Sequence, residues 1–203
     1  MISLVDTTET GCMEAMRGMF AARKAVFVDL LEWEIPVLNG RYEIDQFDDE
    51  LARYLILTDE TRGHVASARL LPTTRPHILD SLFPTLSAGP IPRGADTFEI
   101  TRFCLDRTLY APGRRAARNR LVTALVEHAL ANGIRTYTGV AESGWLAQIL
   151  QFGWDAAPLG HILPGSKQLA ALQIHITEAT PSLLKQTGMW SPTPSRLADA
   201  AFA

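Results

Sequence analysis

The chain has few cysteines, no long apolar run and no excess of one charge, and each shortage excludes a class of protein. Two cysteines, Cys12 and Cys104, occur in 203 residues, too few for a disulfide framework or a cysteine metal site. This favours a reduced, cytoplasmic protein. No apolar run approaches the roughly 18 residues of a bilayer span, so we expect no membrane association. A net charge of -3 argues against nucleic-acid binding driven by bulk charge.

Several catalytic and metal-binding patterns are also missing from the sequence. The histidines, at positions 64, 77, 128, 161 and 175, show no paired ligand spacing, so we expect no metal. There is no G-x-S-x-G, P-loop or G-x-G-x-x-G sequence. The N-terminus lacks a basic region followed by an apolar one, so we do not expect a signal peptide. Cys104 lies in a predicted strand, where a buried, inert thiol is the simpler interpretation.

Hydrophobic periodicity predicts alternating strands and helices. We expect helices over residues 14–31, 114–133, 144–152 and 178–188, and strands over 54–58, 64–72, 97–106, 134–140, 153–162 and 169–177. Residues 31–43 and 73–96 are expected to be loops, the second with a helical turn near 78–83. This order predicts an α/β (α+β) fold, a mixed sheet with helices on both faces. We expect one domain over 1–203, with a weakly ordered tail at 187–203.

The stretch "EIDQFDDELARYLIL", residues 43–57, is unusual. Five carboxylates fall within its first eight residues, and the sequence then becomes almost wholly apolar. An acidic run on a globular protein is usually a solvated face. Here the acids lead directly into a predicted buried strand, which raises the question of what they face.

Three charged residues lie inside apolar strands. Arg69 occurs in "ASARLL", and Glu99 and Arg102 occur in "FEITRFCL". A buried charge is costly unless it is paired, so these residues form either a structural salt-bridge network or a binding site. Glu99 and Arg102 are three apart and would point to opposite faces of a regular strand. Either a bulge redirects one of them or they serve different sites.

Basic residues gather in "LYAPGRRAARNRL". The pattern places Arg114, Arg115 and Arg118 at the start of the long helix, just after Gly113. Cations are unfavourable at a helix N-terminus, whereas free backbone N–H groups there bind anions. A docked phosphate or acidic partner would explain the arginines. The alternative is a solvated basic turn.

Read together, these motifs resemble the acyl-homoserine lactone synthases, the autoinducer synthases of bacterial quorum sensing. The resemblance covers residues 17–155 and rests on several motifs in the family's order. These are Arg23, Phe27 and Trp33, then "EIDQFD" with Asp45 and Asp48, "RLLPTT" with Arg69, and "EITRF" with Glu99, Arg102 and Phe103. The later "GIRTYTGVAESGWLAQILQFGW" is similar to the family's second-half strand and helix.

The resemblance implies an N-acetyltransferase-like fold, a twisted mixed sheet, and two substrates. One is S-adenosylmethionine, a substrate rather than a cofactor, and the other is an acyl thioester of acyl carrier protein or coenzyme A. The amine attacks the thioester, and the methionine carboxylate closes onto its own γ-carbon and expels methylthioadenosine. No further cofactor is expected. The acyl chain, its carrier, the order of the two steps and the oligomeric state stay open.

The resemblance also implies roles for individual residues in binding S-adenosylmethionine. Asp45 and Asp48 would hold its cationic side, and Arg23 and Arg102 would pair with its carboxylate. Three aromatic residues would pack the adenine and face the sulfonium: Phe27, Trp33 and Phe103. Asp49 and Glu50 are interpreted as solvated surface.

For catalysis, the α-ammonium must lose a proton before it attacks, and Glu99 is the candidate base, directly or through a water. Arg69 and Arg102 complete the expected catalytic set. Lactonisation needs mainly positioning, because the sulfonium is already a good leaving group.

The second half supplies the expected acyl pocket, formed by Gly139, Val140, Trp145, Leu146 and Ile149. Members that favour 3-oxo chains often carry Thr where we align Gly139, so we expect an unsubstituted chain. Trp145 would shorten the pocket and favour a short, branched or aromatic acyl group. The alternative is that Trp145 packs in the core and meets no substrate.

The sequence also allows two other functions. An ordinary N-acetyltransferase acting on another amine shares the fold class but does not explain the residues before the first buried strand: Arg23, Trp33, Asp45 and Asp48. A non-catalytic small-molecule sensor would keep the pocket, but Glu99 argues against it.

Overall fold

The alternation of strands and helices follows the predicted order closely. The computed structural model describes residues 2–5, 12–61, 63–160 and 168–192. Its strands are β1 (Ile2–Val5), β2 (Val37–Leu38), β3 (Tyr42–Glu43), β4 (Arg53–Asp59), β5 (Gly63–Pro72), β6 (Thr97–Leu105), β7 (Thr136–Glu142), β8 (Asp155–Pro158) and β9 (Leu169–His175). Its helices are α1 (Met13–Arg23), α2 (Ile78–Leu82), α3 (Ala111–Ala131), α4 (Ser143–Ile149) and α5 (Thr180–Gln186).

Three local predictions were wrong. The α-helix expected over residues 14–31 ends at Arg23, and a π-helical turn, Lys24–Val28, follows it. The expected loop at 31–43 contains a small hairpin, in which β2 pairs with β3. Its turn uses Asn39 and Gly40, with φ of 52° and 65°, and Asn and Gly are residues that favour left-handed turns. The long helix begins at Ala111 rather than Arg114, because Pro112 is well suited to the first turn of a helix.

The chain divides into two compact units. The first consists of Met1–Arg69, Arg102–Ala124 and Ser191–Ala203. Its strands follow the order β1-β4-β5-β6, with β1 antiparallel to β4 from Ile2 opposite Asp59 to Val5 opposite Ile56. Helix α1 packs on this sheet through a core of Met19, Tyr54 and Ile56.

The second unit consists of Leu70–Thr101 and Leu125–Trp190. In it β6 runs parallel to β7, whereas β9 is antiparallel to both β7 and β8, so the sheet is mixed, as predicted.

Helices cover both faces of the sheet in this unit. Glu99 accepts hydrogen bonds from α2, and the Tyr137 hydroxyl donates to Leu125 O in α3. Tyr137 lies opposite Phe98, the neighbour of Glu99, and neighbours along a strand point to opposite faces. Helices α2 and α3 therefore cover opposite faces, as predicted.

Three smaller expectations concern the tail, the membrane and the thiol. Residues 193–203 of the expected tail lie outside the described residues, whereas Met189 is buried. None of the described helices is long and apolar enough to cross a bilayer. Cys104 is buried, and burial raises the pKa of its thiol to about 12, which agrees with an inert thiol. The single domain over 1–203 stays a prediction.

Candidate active site

Three arginines and three acids of the first unit form one buried network. Its members are Arg23, Glu43, Asp45, Asp48, Arg69 and Arg102. Their formal charges cancel, and each acid is held by two arginines. The acidic stretch therefore leads into a buried strand because arginines from three other segments compensate it.

Asp48 lies at the centre of this network. Arg23 holds it with two hydrogen bonds of 2.8 Å, from Nη1 to Oδ1 and from Nη2 to Oδ2. Arg69 Nη1 is 2.8 Å from Oδ1, and the Tyr54 hydroxyl donates to the same oxygen at 2.8 Å. The backbone N–H of Asp45 donates to Oδ2 at 2.9 Å. Asp48 is thus a structural hub with its acceptor positions filled.

Asp45 and Glu43 connect the hub to Arg102. Arg69 donates to both carboxylate oxygens of Asp45, at 2.7 and 3.1 Å. Arg102 Nη2 donates to Asp45 Oδ2 at 2.7 Å and to Glu43 Oε1 at 3.0 Å. Glu43 also accepts from Arg23 Nε. The side chains of Arg102 and Asp45 are 9% and 6% exposed, whereas the other four are at most 1% exposed, so solvent reaches the network at Arg102 and Asp45.

Local backbone geometry brings these side chains together. Arg23 is the last residue of α1, and a π-helical turn, Lys24–Val28, follows it; such turns occur frequently at functional sites. The β2–β3 hairpin places Glu43. Arg102 has φ of 50°, a left-handed value that is uncommon for a residue with a side chain. The left-handed residue interrupts the alternation of side chains along β6. The expectation that Glu99 and Arg102 point to opposite faces assumed a regular strand and does not apply here.

An aromatic pair lies beside Arg102. The rings of Phe27 and Trp33 stack with centroids 4.9 Å apart at 25°. The Arg102 guanidinium carbon is 5.6 Å from the Phe27 centroid and 5.9 Å from that of Trp33. Phe103, the third predicted aromatic residue, is half-buried. Of the three predicted aromatic residues, the structure thus places Phe27 and Trp33 at the guanidinium of Arg102.

The charges within the network shift the pKa values of Asp48 and Arg23. Burial alone would raise the pKa of Asp48, but the Arg23 hydrogen bonds and the charges of Arg23 and Arg69 outweigh it and hold that pKa well below its usual value. Burial would lower the pKa of Arg23, yet its bonds to Asp48 and Glu43 raise it above normal. The Arg23–Asp48 pair at the centre of the network therefore stays ionised.

Two expectations about the acids need correction. Asp45 and Asp48, expected to hold the cationic side of the substrate, are each paired with two arginines, and Arg23, expected to pair with its carboxylate, is bound to Asp48 and Glu43. Glu43, which sequence reasoning left without a role, is fully buried in the network. The sequence feature that could have indicated Glu43 is its place as the first residue of the "EIDQFD" motif, two residues before Asp45. Glu50 is exposed, as predicted, whereas Asp49 is half-buried.

The three acids also raise the question of a metal. Among the described residues, Glu43, Asp45 and Asp48 have ligand oxygens within 4.8 Å of one another, close enough to share a cation. Guanidinium groups already bond to all three carboxylates. The donor set therefore fits arginines rather than a metal ion.

Glu99 belongs to the second unit and is completely buried. Its Oε2 accepts the backbone N–H of Ile78 at 2.7 Å, and its Oε1 accepts that of Leu79 at 2.8 Å. These donors stabilise the ionised carboxylate and fix the start of α2. Glu99 thus has a structural role that the sequence did not indicate.

The predicted acyl-pocket residues lie on β7 and α4. Leu146 and Ile149 are buried. Trp145 is half-buried and meets Phe152 edge to face, with centroids 5.7 Å apart. Val140 is half-buried. Trp145 thus belongs neither wholly to the core nor to the surface.

Gly139 has a structural reason to lack a side chain. A Cβ there would lie 3.2 Å from Ile100 O, closer than ordinary van der Waals contact, because β6 and β7 run side by side. Gly139 therefore has a packing reason that is independent of the acyl chain, and the unsubstituted chain stays a prediction. The neighbouring Thr138, which sequence reasoning missed, is 1% exposed, and its hydroxyl has no hydrogen-bond partner among the described residues.

The predicted basic cluster lies further along α3 than expected. Because α3 begins at Ala111, the N–H of Arg114 already donates to Tyr110 O, and the argument from free N–H groups was wrong. Arg114 and Arg115 are exposed. Burial and the charge of Arg115 lower the pKa of Arg118. The close positive charges of these arginines, rather than free N–H groups at the helix N-terminus, make this surface a candidate anion site.

Comparison with known proteins agrees with the geometry. Residues 9–180 match the family described as autoinducer synthase. The chain is 34% identical over 162 residues to an acyl-homoserine-lactone synthase of Rhizobium etli, covering 78% of this chain and 76% of that one. It is 42% identical over 93 residues to one of Pseudomonas fluorescens, about half of that protein's length (46%).

Solved structures agree on the fold. The chain superposes with a TM-score of 0.79 and 29% identity on BjaI, described as a CoA-dependent acyl-homoserine lactone synthase with SAM and isopentyl-CoA, covering 94% of this chain and 90% of that one. A likeness to a Lactobacillus plantarum N-acetyltransferase, with a TM-score of 0.54, 15% identity, and coverage of 87% of this chain and 99% of that one, concerns the fold alone. The predicted N-acetyltransferase-like fold is confirmed.

Proposed function

The chain belongs to the autoinducer synthase family, and we propose that it acylates the amine of S-adenosylmethionine from an acyl thioester and closes the product to an acyl-homoserine lactone. Methylthioadenosine and the free thiol of the acyl carrier are the other products. The observation that carries this proposal is the partly solvent-accessible end of the charged network, formed by Arg102 and Asp45, with Arg102 lying over the stacked Phe27 and Trp33.

The network suits a zwitterionic substrate with a further positive charge. S-adenosylmethionine carries an ammonium, a sulfonium and one carboxylate. The network is neutral and internally paired, so only its most solvent-accessible members bind the substrate. Arg102 binds the carboxylate, and Asp45 binds the ammonium. Trp33 and Phe27 offer ring faces to the sulfonium. The deeper residues, Arg23, Asp48 and Arg69, hold these groups in place.

Glu99 remains our candidate for the base. Its two backbone N–H donors favour the ionised carboxylate, which is the form that a base requires. The ammonium proton passes to Glu99 directly or through a bridging water.

Trp145, Leu146 and Ile149 are proposed to limit the acyl chain. Trp145 is the largest of these side chains and is partly accessible, so it sets the depth of the pocket. The buried hydroxyl of Thr138 offers a hydrogen bond to an oxygen on the chain. A short or branched acyl group, with or without such an oxygen, fits these residues.

The arginines of α3 are proposed to dock the acidic carrier or the coenzyme A phosphates. A partner's negative charge would relieve the crowding of Arg114, Arg115 and Arg118. Relatives such as BjaI are described as CoA-dependent, so both donors belong in the test. Cytoplasmic location and the absence of a cofactor stay predictions.

A release assay tests the proposal. Purified protein would be mixed with S-adenosylmethionine and pools of acyl-CoA and acyl carrier protein thioesters, and methylthioadenosine and the lactone followed by mass spectrometry. We expect methylthioadenosine and acyl-homoserine lactone in equal amounts. Acylation of another amine without methylthioadenosine would favour the N-acetyltransferase alternative, and binding without either product would favour a sensor.

A further inference from the structure

Tyr54 connects the hydrophobic core of the first unit to the charged network. Its hydroxyl donates to Asp48 Oδ1 at 2.8 Å. Arg23 Nη1 and Arg69 Nη1 reach the same oxygen at 2.8 Å each. One carboxylate oxygen thus receives two cations and one neutral donor, and the neutral donor limits how far Asp48 can move toward either arginine.

The position of the Tyr54 ring is itself fixed by packing. The residue is 7% exposed and belongs to the core with Met19 and Ile56. Phe20 meets its ring edge to face, with centroids 6.1 Å apart at 76°, and the Arg23 guanidinium lies 5.0 Å above the Phe20 ring. The hydroxyl is therefore held by rigid neighbours.

The same hydroxyl stays protonated under all working conditions. Burial first, and then the charge and hydrogen bond of Asp48, raise the pKa of Tyr54 above its usual value. A phenol that does not ionise is a permanent donor. The Tyr54 hydroxyl therefore donates to Asp48 as a neutral phenol at neutral pH.

The effect of Asp48 extends to the partly solvent-accessible end of the network. Its Oδ2 accepts the Asp45 N–H at 2.9 Å, which fixes the backbone of Asp45, and the Asp45 carboxylate accepts from Arg102 at 2.7 Å. We propose that Tyr54 is a positioning residue for S-adenosylmethionine: through Asp48 it holds Asp45 and Arg102 where the substrate meets them. This inference rests on the proposed function.

The test is Tyr54→Phe, which removes one oxygen and leaves the ring. We expect the Kd for S-adenosylmethionine, measured by calorimetry, and its KM to rise roughly tenfold, the order expected for losing one hydrogen bond to a charged group. The kcat at saturating S-adenosylmethionine and the KM for the acyl donor should stay near wild-type values. A purely structural role would lower stability without this selective change.

Tyr137→Phe is the matched control. Tyr137 belongs to the second unit and is fully buried, and its hydroxyl donates to the backbone carbonyl of Leu125 at 3.0 Å. Both variants should lose similar thermal stability, but Tyr137→Phe should keep the wild-type Kd for S-adenosylmethionine. Phe20→Leu, which retains the hydroxyl but loosens its ring, should give a smaller rise in Kd.

The outcomes separate this inference from the proposed function. If wild-type protein binds no S-adenosylmethionine, the proposed function fails and this inference fails with it. If wild-type protein binds S-adenosylmethionine and Tyr54→Phe binds it equally well, the inference alone is overturned. Equal rises in Kd for Tyr54→Phe and Tyr137→Phe would also overturn it, because a general loss of stability would then explain both.

Discussion

Arg23 and Asp48 face each other as a two-pronged ion pair, with Nη1 on Oδ1 and Nη2 on Oδ2 at 2.8 Å each. Both side chains are 1% exposed. Two further donors, Arg69 and Tyr54, meet the same carboxylate. Removing its charge would leave two buried guanidinium groups undercompensated, so the first prediction concerns stability rather than substrate binding alone.

Asp48→Asn is expected to destabilise the fold strongly. Breaking one side of a buried pair costs about 3–5 kcal/mol, which for a chain of this size lowers Tm by roughly 10 °C or more. Thermal unfolding and denaturant titration measure it. Glu50→Gln, a neutralisation of an exposed acid in the same stretch, is the control and should have little effect. An Asp48→Asn variant as stable as wild type would contradict the network.

His64 is expected to destabilise the protein in mild acid. Burial lowers the pKa of His64 from 6.5 to about 4, and the negative charge of Asp106 only partly opposes this shift. The Ser67 hydroxyl lies 2.9 Å from Nε2 of His64. Between these pKa values the unfolded chain binds more protons than the folded one. Stability therefore falls as pH drops through this window, by about 3 kcal/mol in total.

Denaturant unfolding at steps from pH 7 to pH 4 measures the His64 contribution. His64→Gln removes the titrating group, so its free energy of unfolding should fall less steeply than that of wild type over this window. The comparison uses the slopes, because the substitution also changes the absolute stability. Parallel slopes in the two proteins would rule out a buried neutral His64.

Glu99→Gln is expected to lower kcat by roughly 10²–10⁴-fold, the range typical for losing a general base, while binding of S-adenosylmethionine is largely kept. It should also lower Tm, because the amide places an NH₂ group against one of the two N–H donors of α2. Single-turnover kinetics at saturating substrates measures the first effect.

Asp80→Ala separates the two roles of Glu99. Asp80 accepts the His77 N–H at 2.8 Å and so also holds the start of α2, but it leaves the Glu99 carboxylate intact. We expect it to lower Tm with little change in kcat. If it lowers kcat as much as Glu99→Gln does, Glu99 acts through α2 and is not the base.

Reversing Arg114, Arg115 and Arg118 to Glu is expected to raise the KM for the acyl donor steeply. The rise should be larger at low salt, because exposed charges are screened beyond about 8 Å at physiological ionic strength. The KM for S-adenosylmethionine should hardly change. The same charge change at Arg17, Arg53 and Arg135, which are exposed elsewhere, is the control. If the KM for the acyl donor changes with neither the mutations nor the salt concentration, the three arginines form a solvated basic surface that binds no donor.

Trp145→Leu is expected to shift the preference toward longer acyl chains, because it removes the largest side chain of the proposed pocket. Competition among short, medium and long acyl donors, read by mass spectrometry of the lactones, measures the preference. Trp190→Leu removes another half-buried indole, one that lies over Lys185, and should leave chain preference unchanged. An identical product profile for Trp145→Leu would place Trp145 outside the pocket.

Local pattern was sufficient for most of the architecture. The periodicity around Leu121 and Leu125 predicted α3, and the apolar run after Tyr54 predicted β4, because period and burial are properties of neighbouring residues. The order of motifs from Arg23 to Phe103 predicted the family and the segments that build the site. These features depend on residues that are close together in sequence.

Tertiary structure alone decided what each charged residue contacts. The sequence assigned Asp45 and Asp48 to the cationic side of the substrate, but Arg23, Arg69 and Arg102, all more than 20 residues away, neutralise them. Glu99 was predicted as a base, and its bonds to Ile78 and Leu79 became visible only when α2 was placed on β6. Pairing of charges depends on distances in space of a few ångströms, and separation along the chain does not fix those distances.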